Sequence, residues 1–150
     1  MPPSGVRGFS PSALNAALSR KRAGNQDLAD AVGVSRQSVV AWQAGKSIPT
    51  AVMLHRVARW LDVAVADLVP IADDRLRISD LRIRIGMNQR SAAAELQIGH
   101  TALAEIERGR RQVSDEVVDR MVTVYGVEEG EIRDAWERAN AARKAHIDSF

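Results

Sequence analysis

The sequence contains no cysteine. It therefore has no disulfide framework and no thiolate ligands for a zinc site, and the absence is consistent with a reducing cytosol. It also lacks the run of about 18 apolar residues that a membrane-spanning helix requires. The opening residues, MPPSGVRGFS, contain no apolar segment of signal-peptide length. We therefore expect a soluble, cytoplasmic protein with no membrane partner.

Groups suited to catalysis or metal binding are also sparse. His55, His100 and His146 fall in different predicted helices, and none has a partner at metal-ligand spacing. The adjacent acids at 73–74 and 128–129 are better explained as helix starts than as acid–base pairs. No phosphate-binding glycine loop or nucleophile motif occurs. The sequence thus predicts no enzyme, no metal site and no cofactor.

The net charge of +2 is too small to indicate nucleic-acid binding by itself, but its distribution is uneven. Residues 1–72 contain 8 Lys/Arg and 4 Asp/Glu, whereas residues 73–150 contain 13 Lys/Arg and 15 Asp/Glu. Because a phosphate backbone attracts local positive charge, the first half is the better electrostatic candidate. An ordinary solvated surface would also account for an imbalance of this size.

Residues 25–46, NQDLADAVGVSRQSVVAWQAGK, have the pattern of two short helices joined by a tight turn. Gly33 suits the left-handed position after the first helix, and Ser35 suits the cap of the second. The apolar positions follow helical spacing and predict the buried sides; they are Leu28, Ala29, Val32, Val39 and Trp42. A helix held by its apolar side that exposes polar residues fits a DNA major groove.

This stretch resembles the helix-turn-helix of the phage-repressor type, the Xre/Cro family of DNA-binding regulators. The matching positions are Gln26, Ala29, the turn Gly33-Val34-Ser35, Val39, Trp42 and the exit Gly45-Lys46. The resemblance implies a transcriptional regulator, such as a repressor, of the kind found in phages and mobile elements. Regulators of this family commonly act as homodimers on two half-sites, whereas a tandem protein could cover both with one chain.

The resemblance also assigns DNA contacts within the motif. Base contacts fall at Arg36, Gln37, Ser38 and Ala41. Arg36 could bridge O6 and N7 of guanine, Gln37 could pair with adenine, and Ala41 or the Ser38 region could meet a thymine methyl. Phosphate contacts, which position the protein without specifying a sequence, are expected from Gln26, Arg20, Lys21, Lys46 and Ser47. Plain solvation is an equal alternative for the two basic residues that end the first helix.

The pattern returns, more weakly, when the chain is shifted by 64 residues. Equivalent positions are Val39 with Leu103, Trp42 with Ile106 and Gly45 with Gly109. Gly99 replaces the capping serine, and Gly33 has no clear counterpart. The predicted fold is all-α: two tandem five-helix, lambda-repressor-like helix-turn-helix domains at 11–70 and 75–150, after a disordered arm at 1–10. Leu76 to Ile85 partly alternates apolar residues with arginines, as a strand would, but the repeat predicts a helix there.

The second domain has its own candidate DNA residues. They are Gln89, His100, Thr101 and Glu105, followed on the exit loop by Arg108, Arg110 and Arg111. Since the carboxylate of Glu105 can accept from cytosine but repels phosphates, this domain either reads DNA or serves dimerisation or partner binding. The domain ends in a long helix, on which Ile132, Trp136 and Ala139 share a face. That face either packs on its own domain or forms a dimer contact.

The sequence favours a sequence-specific regulator of transcription that binds double-stranded DNA. It would read the major groove with the helix at 35–44, and also with the one at 100–108 if both domains bind. The alternative is an interaction protein, such as an antitoxin or an anti-repressor adaptor, whose second domain binds a regulatory protein partner.

Overall fold

The computed structural model describes residues 6–150. Over this range every regular element is a helix and there is no strand, which confirms the all-α part of the predicted fold. The chain divides into two compact units. The first unit contains the described residues up to Ile71 together with Ile83–Gly86, and the second contains Ala72–Arg82 with Met87–Phe150. No helix in the described part of the chain is long and apolar enough to cross a membrane.

Five helices form the first unit, close to the predicted positions: α1 (Pro11–Lys21), α2 (Asn25–Val32), α3 (Arg36–Gln43), α4 (Ala51–Leu61) and α5 (Val65–Leu68). Polar side chains fix three helix starts. Ser10, Ser35 and Thr50 each accept a hydrogen bond from the backbone N–H three residues ahead, at 3.1, 3.1 and 3.2 Å. Each cap satisfies a donor that the first helical turn leaves unpaired.

One apolar residue from each helix is completely excluded from solvent in the core of this unit: Leu14, Leu28, Val39, Leu54 and Leu68. Val6 belongs to the same core. The predicted disordered arm at 1–10 is therefore wrong for residues 6–10, because burial of Val6 and a hydrogen bond from the Ser10 N–H to the Leu68 carbonyl (2.9 Å) order the chain there. Residues 1–5 lie outside the described residues.

The remaining helices are α6 (Ile78–Arg84), α7 (Gln89–Leu96), α8 (His100–Glu107), α9 (Asp115–Tyr125) and α10 (Glu129–Asp148), preceded by a short 3-10 helix at Asp73–Arg75. Within the stretch that alternates apolar residues with arginines, Ile78–Arg84 is helical, as the repeat predicted, whereas Leu76 and Arg77 precede the helix and Ile85 follows it in a turn. The alternation suggested a strand because arginine is mostly an exposed residue. In the structure Arg82 is buried, only 2% exposed, beside the buried Leu81 and Ile83.

The largest difference between the two units is their last helix. In the first unit α5 has 4 residues, whereas α10 has 20. The buried side chains of α10 are Ile132, Ala135, Trp136 and Ala139, and none of them lies beyond Ala139. The helix therefore continues from Asn140 to Asp148 without contributing a further buried side chain.

Candidate nucleic-acid interfaces

The turn between α2 and α3 has the geometry that its residues predict. Gly33 ends α2 with a φ of 80°, a left-handed conformation that glycine adopts without a side-chain penalty. The N–H groups of Gly33 and Val34 both donate to the carbonyl of Ala29, at 2.9 and 3.0 Å. Ser35 then caps α3. The direction in which α3 leaves the turn is therefore fixed by backbone hydrogen bonds and by one side-chain cap.

Helix α3 has one buried and one exposed side. Val39 and Trp42 are 0% and 5% exposed and anchor it to the core. The two predicted base readers Arg36 and Gln37 are exposed, whereas the other two, Ser38 and Ala41, are half-buried. Of these four, Arg36 and Gln37 therefore have the greatest reach from the protein surface.

Sequence reasoning missed Val40. Its apolar side chain is 45% exposed. It lies on the same side of α3 as Arg36 and Gln37, which are four and three positions earlier. The signal was present in the sequence, since a helix that buries Val39 and Trp42 turns the next position away from the core. An aliphatic side chain on a reading helix is suited to the methyl group of thymine.

The C-terminal end of α3 is tied to the rest of the unit. The Gln43 side-chain amide donates to Oδ1 of Asn25 at 2.7 Å, which joins the end of α3 to the start of α2. After α3, the N–H of Lys46 donates to the Ala41 carbonyl at 2.9 Å. Lys46 and Ser47, predicted phosphate contacts, are both exposed on this exit.

The other predicted phosphate contacts of the first unit lie on α1 and α2. Gln26 is exposed at the start of α2, but its amide donates to Asp30 at 2.8 Å. The Lys21 ammonium lies over the Trp60 ring, 4.8 Å from its centroid, and borders the same shallow depression as the acids Asp27 and Asp30. Arg20 is exposed one position earlier on α1.

The second unit repeats the turn with a different residue. Gln97 ends α7 with a φ of 57°, and the N–H of Ile98 donates to the Ala93 carbonyl at 3.0 Å, as Val34 does to Ala29. Gln97 is therefore the counterpart of Gly33. The sequence did not reveal it because a glutamine is seldom found in a left-handed conformation.

Helix α8 is anchored like α3 but presents a different surface. Leu103 and Ile106 are buried, whereas His100 and Thr101 are exposed. Glu105 is half-buried, and its carboxylate pairs with Nε of Arg111 at 3.3 Å. That ion pair offsets the negative charge that would otherwise face phosphates. Arg108 and Arg110 are exposed on the exit loop together with Arg111.

A buried ion pair joins α6 to the C-terminal end of α8. Arg82 of α6 holds Glu107 at the end of α8 through two hydrogen bonds, of 2.7 and 3.1 Å. Arg82 also donates to the Met87 carbonyl at 2.9 Å. Gln89, predicted to clamp a phosphate, donates to the same Glu107 carboxylate at 2.8 Å. One of its two amide N–H groups is therefore directed into the protein.

The predicted dimer residues point into their own unit. Ile132, Trp136 and Ala139 are 0%, 9% and 4% exposed, and the Trp136 indole donates to the Arg111 carbonyl at 2.9 Å. The dimer prediction is therefore corrected: these side chains belong to the core between α10 and its neighbours, so a second chain could reach them only if the unit opened. Packing on their own domain was the stated alternative.

Residues 75–136 match the family model of a helix-turn-helix domain. The match covers less than half of the chain and includes α7, the turn at Gln97 and α8, in the half whose resemblance is the weaker by residues alone. No curated protein and no solved structure matches the chain. The match supports a helix-turn-helix family for this segment and, with it, a DNA-binding regulator. Within residues 6–150, no group of three or more His, Asp or Glu side chains could hold a metal ion.

Proposed function

We propose that the protein is a sequence-specific regulator of transcription that binds double-stranded DNA, built from two tandem helix-turn-helix domains of the phage-repressor (Xre/Cro) type. The observation that carries the proposal is the helix-turn-helix match over residues 75–136. The first unit supports it independently, because its own two-helix turn ends in a capped, core-anchored helix with a polar exposed side.

In this proposal α3 reads bases in the major groove. Arg36 bonds the O6 and N7 acceptors of guanine, and Gln37 pairs with N6 and N7 of adenine. Val40, exposed beside them, contacts a thymine methyl. Each good contact contributes about 1–3 kcal/mol of discrimination against the wrong base. Ser38 and Ala41, which are half-buried, line the edge of the same surface.

Phosphate contacts come from the residues that flank the reading helix. Lys46 and Ser47 follow α3, and Gln26 begins α2, where the helix N-terminus already favours an anion. To reach a phosphate, the Gln26 amide exchanges its exposed hydrogen bond to Asp30 for one to DNA.

In the second unit α8 is the corresponding reading helix. His100 and Thr101 are its exposed leading residues, and Arg108 and Arg110 follow on the exit loop. Glu105 accepts from cytosine N4 when it is released from Arg111. In the absence of DNA the carboxylate is paired with Arg111 instead.

Selection of binding sites from random DNA duplexes tests the proposal. Wild type is compared with Arg36→Ala plus Gln37→Ala, with His100→Ala plus Thr101→Ala, and with the control Arg56→Ala plus Arg59→Ala, two exposed arginines of α4. We expect a two-part motif that loses a different part in each test variant and is unchanged in the control.

Two other outcomes have defined meanings. If the α8 variant selects the same motif as the wild type, the second unit does not read DNA. It would then bind a protein partner, as in the alternative of an antitoxin or an adaptor. Failure of the wild type to enrich any motif would contradict sequence-specific DNA binding altogether.

A further inference from the structure

The second half of α10 carries basic residues beside the exit loop of α8. The contact is close: a Cβ added to Gly109 would lie 2.6 Å from both the N and the Cα of Asn140. The Asn140 side chain donates to the Gly109 carbonyl at 2.9 Å, and one turn earlier Trp136 donates to the Arg111 carbonyl at 2.9 Å. Two side chains of α10 thus fix the backbone of the loop.

The next residues of α10 on the same side are Arg143 and Lys144, three and four positions after Asn140. Residues at this spacing are neighbours on a helix surface, about 5–6 Å apart at Cβ. The two basic residues are therefore neighbours of Asn140, whose side chain holds the loop that carries Arg108, Arg110 and Arg111.

The helix dipole does not explain the two basic residues. Its effect is confined to about the last turn of a helix. Helix α10 continues to Asp148, and the basic residue of its last turn is His146. Lys144 is exposed and Arg143 is half-buried, so their charges are available at the surface.

Acidic neighbours offset only part of this positive charge. Glu105 pairs with Arg111, Asp148 follows Lys144 by four positions on α10, and Glu137 borders a small cavity of about 100 Å³ together with Gln112 and Trp136. Among the described residues, no ion pair engages the remaining four: Arg108, Arg110, Arg143 and Lys144.

We propose that α10 extends the DNA-binding surface of the second unit. Trp136 and Asn140 are positioning residues that hold the exit loop, and Arg143 and Lys144 bind phosphates of the duplex alongside Arg108 and Arg110. The inference rests on the proposed function, since it concerns how the same domain holds the DNA backbone. The first unit lacks this device, because α5 has only 4 residues.

The salt dependence of binding tests the phosphate contacts. Arg143→Gln plus Lys144→Gln preserves good helix formers and removes two charges. On a duplex that carries the selected site, we expect the slope of log Kd against log salt to fall by up to about 1.8. We expect binding to weaken by on the order of 10-fold at 0.1 M salt, equally for matched and scrambled duplexes, with an unchanged selected motif. The control, Arg56→Gln plus Arg59→Gln, should keep the wild-type slope.

The positioning role is tested by Asn140→Ala. We expect faster amide hydrogen exchange at residues 108–111 and weaker DNA binding, with far-ultraviolet circular dichroism unchanged. Unchanged exchange in the loop would remove Asn140 from this role, and a wild-type salt slope in the α10 double variant would overturn the phosphate contacts. Absence of duplex binding by the wild type would instead overturn the proposed function, and this inference with it.

Discussion

At the residue scale, the turn glycine of the first unit makes a clear contribution to stability. Gly33 has a φ of 80°, and an added Cβ would meet no atom within 4 Å. We expect Gly33→Ala to lower the free energy of unfolding by about 1–2 kcal/mol. The whole cost comes from the left-handed backbone conformation that alanine would have to adopt, since the added methyl group meets no other atom. Chemical denaturation would measure it. The control is Gly130→Ala in α10, also free of contacts, which should stabilise by about 0.5–1 kcal/mol.

Val40 is the residue whose substitution should separate recognition from stability. Because the side chain is 45% exposed, we expect Val40→Ala to change the free energy of unfolding by less than about 0.5 kcal/mol. The variant should lose preference for thymine at one position of the selected motif. The matched control, Val52→Ala on α4, should leave the motif unchanged. A motif with all its positions intact in Val40→Ala would contradict the assigned thymine contact.

Tyr125 is the single tyrosine of the chain, so its ionisation can be followed alone. Burial raises its pKa well above the usual value of about 10, the Glu107 carboxylate raises it further, and Arg82 partly opposes them. Because the pKa is higher in the folded state, the contribution of Tyr125 to stability is complete below pH of about 10 and is lost as pH rises above it.

We therefore expect the ultraviolet absorbance of phenolate to emerge well above pH of about 10, together with unfolding of the second unit. Its hydroxyl has no hydrogen-bond partner among the described residues, so Tyr125→Phe should cost little stability and should abolish this absorbance change. Titration of the folded protein near the ordinary pKa would show that the ring is solvated.

At the element scale, the C-terminal ends of α3 and α8 are held by different interactions. In the second unit Glu107 forms an ion pair with Arg82, and their side chains are only 4% and 2% exposed, respectively. In the first unit Gln43, at the corresponding position, makes one neutral hydrogen bond to Asn25. We expect Glu107→Ala to destabilise by about 3–5 kcal/mol, because it leaves a buried arginine without its counter-charge. Gln43→Ala, the matched change, should cost about 0.5–1.5 kcal/mol.

Thermal unfolding of the two variants measures this difference. The double variant Arg82→Leu plus Glu107→Leu separates the cost of an unpaired charge from loss of the pair itself, and it should be less destabilised than Glu107→Ala. Equal losses for Glu107→Ala and Gln43→Ala would mean that the buried charges contribute no more than a neutral hydrogen bond.

Helix positions could be read from the sequence because they depend on local features. Ser35 and Thr50 cap helices, and Val39 and Trp42 mark the buried side of α3, all within a few residues of one another. What could not be read depends on contacts distant in sequence. Arg82 is paired with Glu107, 25 residues away, and this pairing explains both the strand-like pattern of α6 and the inward direction of Gln89.

The same distinction explains the results at the candidate site. Exposure of Arg36, Gln37, His100 and Thr101 followed from helical spacing. The dimer role predicted for Trp136 was wrong, because an apolar face on a helix does not indicate which surface covers it. The Trp136 indole donates a hydrogen bond to the carbonyl of Arg111, 25 residues earlier in its own chain. The left-handed Gln97 was missed because its conformation is imposed by the tertiary turn rather than favoured by the residue.

At the scale of the whole molecule, the second helices of the two turns expose different side chains. Helix α3 exposes Arg36, Gln37 and Val40, whereas α8 exposes His100 and Thr101. A homodimer of one reading unit would bind a palindrome, since the symmetry of a site mirrors that of the protein. One chain with two dissimilar units has no such symmetry.

We therefore expect the selected motif to be asymmetric, with two unlike parts, and each duplex to bind one chain of 16.4 kDa. Sedimentation equilibrium of the protein with a labelled duplex measures this stoichiometry. A palindromic motif that binds two chains would instead mean that one unit reads DNA in each copy and that the other serves assembly.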